Sequence, residues 1–210
     1  MFKRIKEFFS HDEKRLRDNR WIFTSMLVGA LLSLLAAFVL SVEAVELAKN
    51  PNAQLSCSVN LVLNCATVAK HATATMFGFP NSFLGLIAEP IVITVAIAGL
   101  AGVAFPRRFM FGAQIGYTLG FLFAWYLFYI SFFVIQALCP WCLLVTLTTT
   151  FVFFAITRYN IRENNLYLPK HMSMTVRRWV ENDYDKLVLG SLVVLAIAAI
   201  VVKYGDSLFA

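Results

Sequence analysis

Four cysteines carry the chemistry most open to this chain. Cys57 and Cys65 are spaced C-x7-C, and Cys139 and Cys142 are spaced C-x2-C. A cysteine can be a small buried hydrophobe, half of a structural disulfide, a zinc ligand or a redox group. Gap-filling would scatter the residues, yet these fall in two pairs. A C-x2-C ring restrains little of the unfolded chain, so a purely structural disulfide is a poor account of that pair. A four-thiolate zinc site tends to close on a second short knuckle. Here seven residues separate Cys57 from Cys65, and His71, the nearest histidine, has no ligand spacing; no metal is expected. Thiol–disulfide exchange fits best, with structural disulfides the rival reading. In Cys139-Pro140-Trp141-Cys142 the proline suits the first turn of a helix. Free N–H groups and the positive end of the dipole at such a start favour a thiolate. A loop pair that swings would take electrons from a soluble dithiol and pass them to the fixed pair, where a lipid-soluble oxidant can arrive.

The elements that must position these residues are set by composition. Of 210 residues, 60% are hydrophobic and 14% charged, with mean hydropathy +0.72. Soluble domains run near half apolar and a quarter charged, so a soluble globule is excluded, and disorder with it. Twenty Phe against ten Gly excludes collagen-like classes. The remaining class is an all-α integral membrane protein. A span needs roughly 20 apolar residues. Residues 21–42 carry no charge and read as an uncleaved signal anchor; residues 83–105 form a second span. Residues 109–157 carry no charge at all, too long for one crossing. They turn at Cys139–Cys142 into a span from 109 to about 137 and another from 140 to 157. Residues 187–202 make a short fifth, helped by Lys203 and Tyr204 at the interface.

Of 18 Lys and Arg, all but Lys49, Lys70 and Lys203 flank one set of span ends. The positive-inside rule then puts the N-terminus in the cytoplasm, the C-terminus outside and every cysteine on the outer, oxidising side. The net charge of +6 is thus an orientation signal, and no nucleic acid is expected. The organisation reads as a basic cytoplasmic segment 1–20, a four-helix redox bundle 21–157 with an outer loop 43–82, a cytoplasmic juxtamembrane segment 158–186, and a fifth helix with an outer C-terminus 187–210. The loop should hold a short helix around 60–73. The segment 158–186, with Arg177, Arg178 and Trp179, reads as lipid-associated or as a solvated linker.

Other features invite readings of their own. Glu89, beside Pro90 in span two, is an intramembrane carboxylate and so a candidate proton relay, or a wet polar contact near a kink. Gly112, Gly116 and Gly120 suggest close helix packing inside the bundle. Trp125, Tyr126 and Tyr129 form an aromatic stripe read as packing, and Gln136 lies one turn before Cys139.

The cysteine order, with Phe79-Pro80-Asn81-Ser82-Phe83-Leu84-Gly85 between the pairs, resembles the vitamin K epoxide reductase family in its prokaryotic, disulfide-forming version. The resemblance covers about residues 21–157. It implies a four-helix bundle around a C-x-x-C and quinone site, plus here a fifth helix. It implies that Cys139 and Cys142 are the active-centre pair, with Cys142 facing a quinone of the menaquinone or ubiquinone class. Cys65 would attack at Cys139, and Cys57 would exchange with the partner. Asn81, next to Ser82, matches the family asparagine that hydrogen-bonds the quinone. Two positions depart from animal members: Thr146 stands where they have Tyr, and His71 where they have Ser. The implied activity is quinone-dependent oxidation of an external thioredoxin-fold partner, with reduction of vitamin K epoxide itself as the alternative. About eight residues follow the fifth span, so the partner is expected to be a separate protein; the chain itself is expected to be a monomer.

Overall fold

The structure, a computed structural model, describes residues 14–55, 57–58 and 62–209. The first 13 residues of the basic N-terminal segment lie outside it, as do residues 60–61 of the expected loop helix. Among the described residues there are seven α-helices, and five are long and apolar enough to cross a membrane. The fold is an all-α membrane bundle.

Helix α1, Lys14–Lys49, overshoots the uncharged stretch 21–42 at both ends. No proline lies between Lys14 and Pro51, so the helix continues until the Asn50-Pro51 turn ends it. Helix α2 is short, Cys65–Lys70, and runs into a 3-10 turn, Ala72–Thr75. Helix α3, Ser82–Leu100, ends before the expected residue 105 because Gly102 takes φ +87°, a left-handed turn that glycine alone adopts without cost. Helix α4, Arg107–Tyr129, continues through a π-helical turn, Ile130–Ile135, and stops where Gln136 takes φ 57°. Helix α5, Pro140–Arg162, starts with proline in its first turn. Helix α6, Lys170–Glu181, is the amphipathic body of the juxtamembrane segment, and α7, Tyr184–Phe209, outruns the expected 187–202.

Helix α1 packs against α3 and α5, and α4 against α5. Ile22, Phe23 and Met26 of α1 meet Val95 and Ala96 of α3, Met110 of α4, and Val152, Ile156 and Tyr159 of α5. Along the α1–α3 seam, Ser41 donates to Ser82 at 2.9 Å and Ser33 to Glu89 at 2.9 Å. Between them Gly85 presses on Ala37 so closely that a Cβ there would sit 2.7 Å from the Ala37 Cβ. The glycines expected to pack the bundle behave otherwise. A Cβ on Gly112, Gly116 or Gly120 meets nothing within 4 Å, so this stripe is not a close contact within the chain. Trp125 does pack inward and donates to Thr150 at 3.0 Å, whereas Tyr126 and Tyr129 face outward.

The two ends of the bundle differ. At one end Arg158, near the end of α5, bonds Asp18 of α1 at 3.2 Å, Asp183 at 2.9 Å and Asp185 of α7 at 2.8 Å, and Arg162 also pairs with Asp18. At the other end the π-helical turn frees the Phe132 carbonyl. It accepts from Tyr204 at 2.8 Å and Lys203 at 2.5 Å. Lys203 and Tyr204, expected at an interface, thus fasten α7 to the end of α4.

Candidate redox centre

The centre is assembled by pinning the loop to the turn before α5. Leu63 and Leu138 form an isolated parallel bridge. Leu138 N–H donates to Val62 C=O at 2.7 Å, and Asn64 N–H to Leu138 C=O at 3.0 Å. Asn64 then caps α2, accepting from Thr67 N–H at 3.0 Å, as Asn does well at this position. That cap fixes Cys65 as the first residue of α2. Ser58 ties the start of the loop to the same cap, donating to Asn64 at 3.3 Å.

Three sulfurs meet there. Cys57 and Cys65 are joined in a disulfide, and Cys139 and Cys142 are free thiols. The Cys139 Sγ lies 3.1 Å from the Cys65 Sγ. The three sulfurs fall within 4.8 Å of one another, but a disulfide occupies two of them, so exchange rather than ligation is their chemistry in this state. Leu40, Leu47, Leu55, Val68 and Trp141 pack around them. Cys57 is 7% and Cys139 1% exposed; Cys142 is half-buried. The loop pair does not need to swing to reach the membrane pair: the pinned backbone already holds Cys65 against Cys139.

Cys139 is the N-cap of α5, and its sulfur accepts the Cys142 N–H at 3.4 Å. Its pKa is held below the ordinary thiol value, first by the hydrogen bond from the Cys142 thiol. Burial opposes this, the N–H groups of Cys142 and Trp141 reinforce it, and the Glu43 charge opposes it. The helix-start N–H groups thus act in the expected direction at Cys139, behind the Cys142 thiol.

The other candidate residues form a second row along the α1–α3 seam. Asn81, just before α3, donates its side-chain N–H to Thr73 C=O at 2.7 Å, and its Oδ1 is buried without a hydrogen-bond partner. His71 braces the same segment through Thr73 at 2.9 Å. Ser82 accepts from Ser41. Glu89 lies deeper, buried, bonded to Ser33 and close to the Tyr117 hydroxyl. Thr146 donates back to Cys142 C=O at 3.0 Å. Gln136 is exposed; its contribution is the left-handed backbone that ends the helix, not a side chain at the centre.

One residue of the centre escapes the sequence reading. Glu43 is buried, with both carboxylate oxygens 3.4 Å from the Cys57 Sγ. Its signal was helical spacing: once α1 is carried past Val42, Leu40, Glu43 and Leu47 share one face, and the two leucines pack on the cysteine cluster.

A helical membrane bundle whose free thiol caps a helix beside a second, disulfide-bonded pair defines a membrane protein with a cysteine redox centre. The chain belongs to the vitamin K epoxide reductase family, which it matches over residues 24–157. That membership makes it an oxidoreductase. The match takes in most of α1, all of α2 to α4, most of α5 and all four cysteines. No curated protein matches the chain.

Proposed function

We propose that this protein is a membrane thiol oxidase, which takes two electrons from a separate thioredoxin-fold dithiol protein and delivers them to a quinone of the menaquinone or ubiquinone class. The observation that carries the reading is the Cys139 sulfur resting 3.1 Å from one sulfur of the Cys57–Cys65 disulfide. Exchange needs a thiolate within reach of a disulfide sulfur, and here both are present in one buried cluster. The cysteine end is proposed to face the outer compartment, because the opposite end carries most of the Lys and Arg and the positive-inside rule keeps that end in the cytoplasm.

The relay runs as successive exchanges. A partner thiolate attacks Cys57, and Cys65 leaves as a thiolate. Cys65 attacks Cys139 of an oxidised Cys139–Cys142 pair, and Cys142 leaves. The partner's second cysteine, a thiol, releases its own disulfide from Cys57, and its proton passes to Cys57, which leaves as a thiol. Cys57 then attacks Cys65, and Cys139 leaves as a thiolate stabilised by the Cys142 N–H and thiol. The arrangement in this structure, loop pair oxidised and membrane pair reduced, is the state this sequence reaches before the membrane pair is reoxidised.

A quinone, when bound, supplies a two-electron, two-proton acceptor. Asn81 fits such a group: it keeps a second amide proton for a carbonyl and an unpartnered Oδ1 for a hydroxyl. Phe77, Phe79 and Phe83 stack in a run beside it, a wall suited to a flat ring. Cys142, less buried than Cys139, is the thiol assigned to face the ring. Glu89, bonded to Ser33 below Ser82, is assigned to hold a proton for it.

Purified protein given a reduced thioredoxin under anaerobic conditions should reduce a soluble quinone analogue, and Cys142→Ala should abolish it. Absence of quinone-dependent turnover would sink the assignment. Turnover of vitamin K epoxide in preference to quinone would select the family's other activity.

A further inference from the structure

Cys57 is 7% exposed and Glu43 6% exposed, and each carboxylate oxygen of Glu43 lies 3.4 Å from the Cys57 sulfur. A disulfide sulfur has no proton to give, so in the state shown this contact supplies no hydrogen bond. It acquires a purpose once Cys57 is reduced, when its S–H can donate to the carboxylate. The relay, on which this inference rests, requires Cys57 to act as a nucleophile, and its thiol must give up its proton to do so. Bulk solvent reaches that sulfur poorly, since Leu40, Leu47 and Leu55 pack around it. A base must therefore be local.

We propose that Glu43 is a catalytic residue, the general base that takes the proton of Cys57 as Cys57 closes the loop disulfide. The step balances within the chain. The Cys57 S–H proton passes to the Glu43 carboxylate and the Cys57–Cys65 bond forms. The Cys65–Cys139 bond breaks, and its electron pair leaves on Cys139. Cys57 and Cys65 are oxidised as a pair, and the membrane pair is reduced by two electrons. Glu43 gives the proton up to the aqueous edge before the next cycle.

Proton transfer accompanies the attack rather than preceding it. An anionic carboxylate beside a thiol disfavours a free thiolate, so Glu43 cannot act by simply pre-ionising Cys57. Among the described residues, the titratable groups that face it are Cys57 from the loop and, more remotely, Cys139 at the cap of α5, whose ionisation its charge opposes, and Cys142 beside it. Glu46 and Lys49, further along α1, are exposed.

Two measurements on Glu43→Gln separate this from a packing role. Turnover with reduced thioredoxin should fall about 10²-fold, the lower range of general-base contributions, and acid-quenched protein should accumulate the Cys65–Cys139 bridge with Cys57 free. In a Cys65→Ser background, the pH midpoint for alkylation of Cys57 should move down, because the repelling charge is gone. Slower exchange from a more acidic thiol is the signature of a lost base. Glu43→Asp should retain part of the rate, and the melting temperatures of both variants report whether the bundle is intact. Wild-type turnover in Glu43→Gln, or lost turnover with the Cys57–Cys65 disulfide as the trapped species, would overturn the proposal. Wild-type protein given dithiothreitol, which bypasses the loop pair, and quinone tests the proposed function separately: failure there removes the quinone step, whereas the alkylation and trapping results still read Glu43.

Discussion

Replacing Gly85 by alanine should loosen the α1–α3 seam on which Asn81 and Ser82 stand. The new Cβ would lie 2.7 Å from the Ala37 Cβ, whereas carbons rest at about 3.5–4.0 Å. The helices must therefore part by about 1 Å at that point. The nearest polar contacts on either side are Ser41 to Ser82 and Ser33 to Glu89, each 2.9 Å long, and a parting of that size takes both beyond useful hydrogen-bond length. Overpacking costs about 1–3 kcal/mol and each lost hydrogen bond about 0.5–1.5 kcal/mol. Alanine's better helix propensity returns roughly 0.5–1 kcal/mol. The net loss expected is about 2–4 kcal/mol, a factor of roughly 30 to 700 in the folded-to-unfolded ratio at about 1.4 kcal/mol per tenfold. The control is Gly112→Ala, where the added Cβ meets nothing within 4 Å and stability should stay level or rise. Denaturation in a fixed detergent micelle, both variants against wild type, measures the difference. The quinone KM should also rise in Gly85→Ala while Cys65–Cys139 exchange is retained. Equal shifts for Gly85→Ala and Gly112→Ala would refute the reasoning.

Three further outcomes follow from the geometry. In Cys57→Ala the Cys65 sulfur keeps its place 3.1 Å from Cys139 with no Cys57 thiol to carry the exchange forward, so a Cys65–Cys139 bridge should accumulate on oxidation; mass mapping under non-reducing conditions that finds only Cys139–Cys142 would count against it. The depressed Cys139 pKa means its thiolate is populated below the ordinary thiol range, so its alkylation should rise with pH and level off early. Cys142→Ala removes the hydrogen bond that lowers it and should move the midpoint to higher pH; an unchanged midpoint would show that the Cys142 thiol does not stabilise the thiolate. Arg158→Met strips a buried cation from Asp18, Asp183 and Asp185 and should cost about 3–5 kcal/mol, as breaking buried pairs does; a variant that melts like wild type would mean the cluster holds neither α1 nor α7 in place.

The five spans are legible because charge is nearly absent from them and a C-P-W-C sequence must divide the longest apolar run. Cys139 as a helix cap is legible too, since proline specifies the first turn and the cap is the residue before it. Helix ends are less so. Hydropathy marks where apolar residues stop, but α1 continues through Glu43 and Glu46 because only Pro51 interrupts its backbone. That extension hid Glu43 in what reads as loop. The Gly112 stripe misleads for a different reason: G-x-x-x-G permits close packing but does not require it, and α5 meets α4 on another face. The hold of Lys203 and Tyr204 on Phe132 depends on a carbonyl released by a π-helical turn, which no local pattern announces.

The placement of the two buried glutamates bears on how the proposed relay keeps electrons and protons in order. A dithiol gives up two protons when it is oxidised, and a quinone needs two when it is reduced. Sulfur exchange moves the electron pair from Cys57 through Cys65 and Cys139 to Cys142 but carries no proton along. Protons must therefore leave at the loop pair and arrive separately beside the quinone. Glu43 touches the first sulfur of that series, while Glu89 lies on the α1–α3 seam below Ser82, bonded to Ser33. The two carboxylates hang from different helices, and Ala37 against Gly85 fills the seam between the Ser41 and Ser33 contacts with close-packed carbon. Close-packed carbon conducts no protons. On the proposed assignment, the proton released at Cys57 therefore returns to the aqueous edge instead of crossing to Glu89, and the supply at Glu89 is independent of the partner reaction. Loss of Glu43 should then slow exchange among the sulfurs, whereas Glu89→Gln should slow quinone reduction even when dithiothreitol bypasses the loop pair.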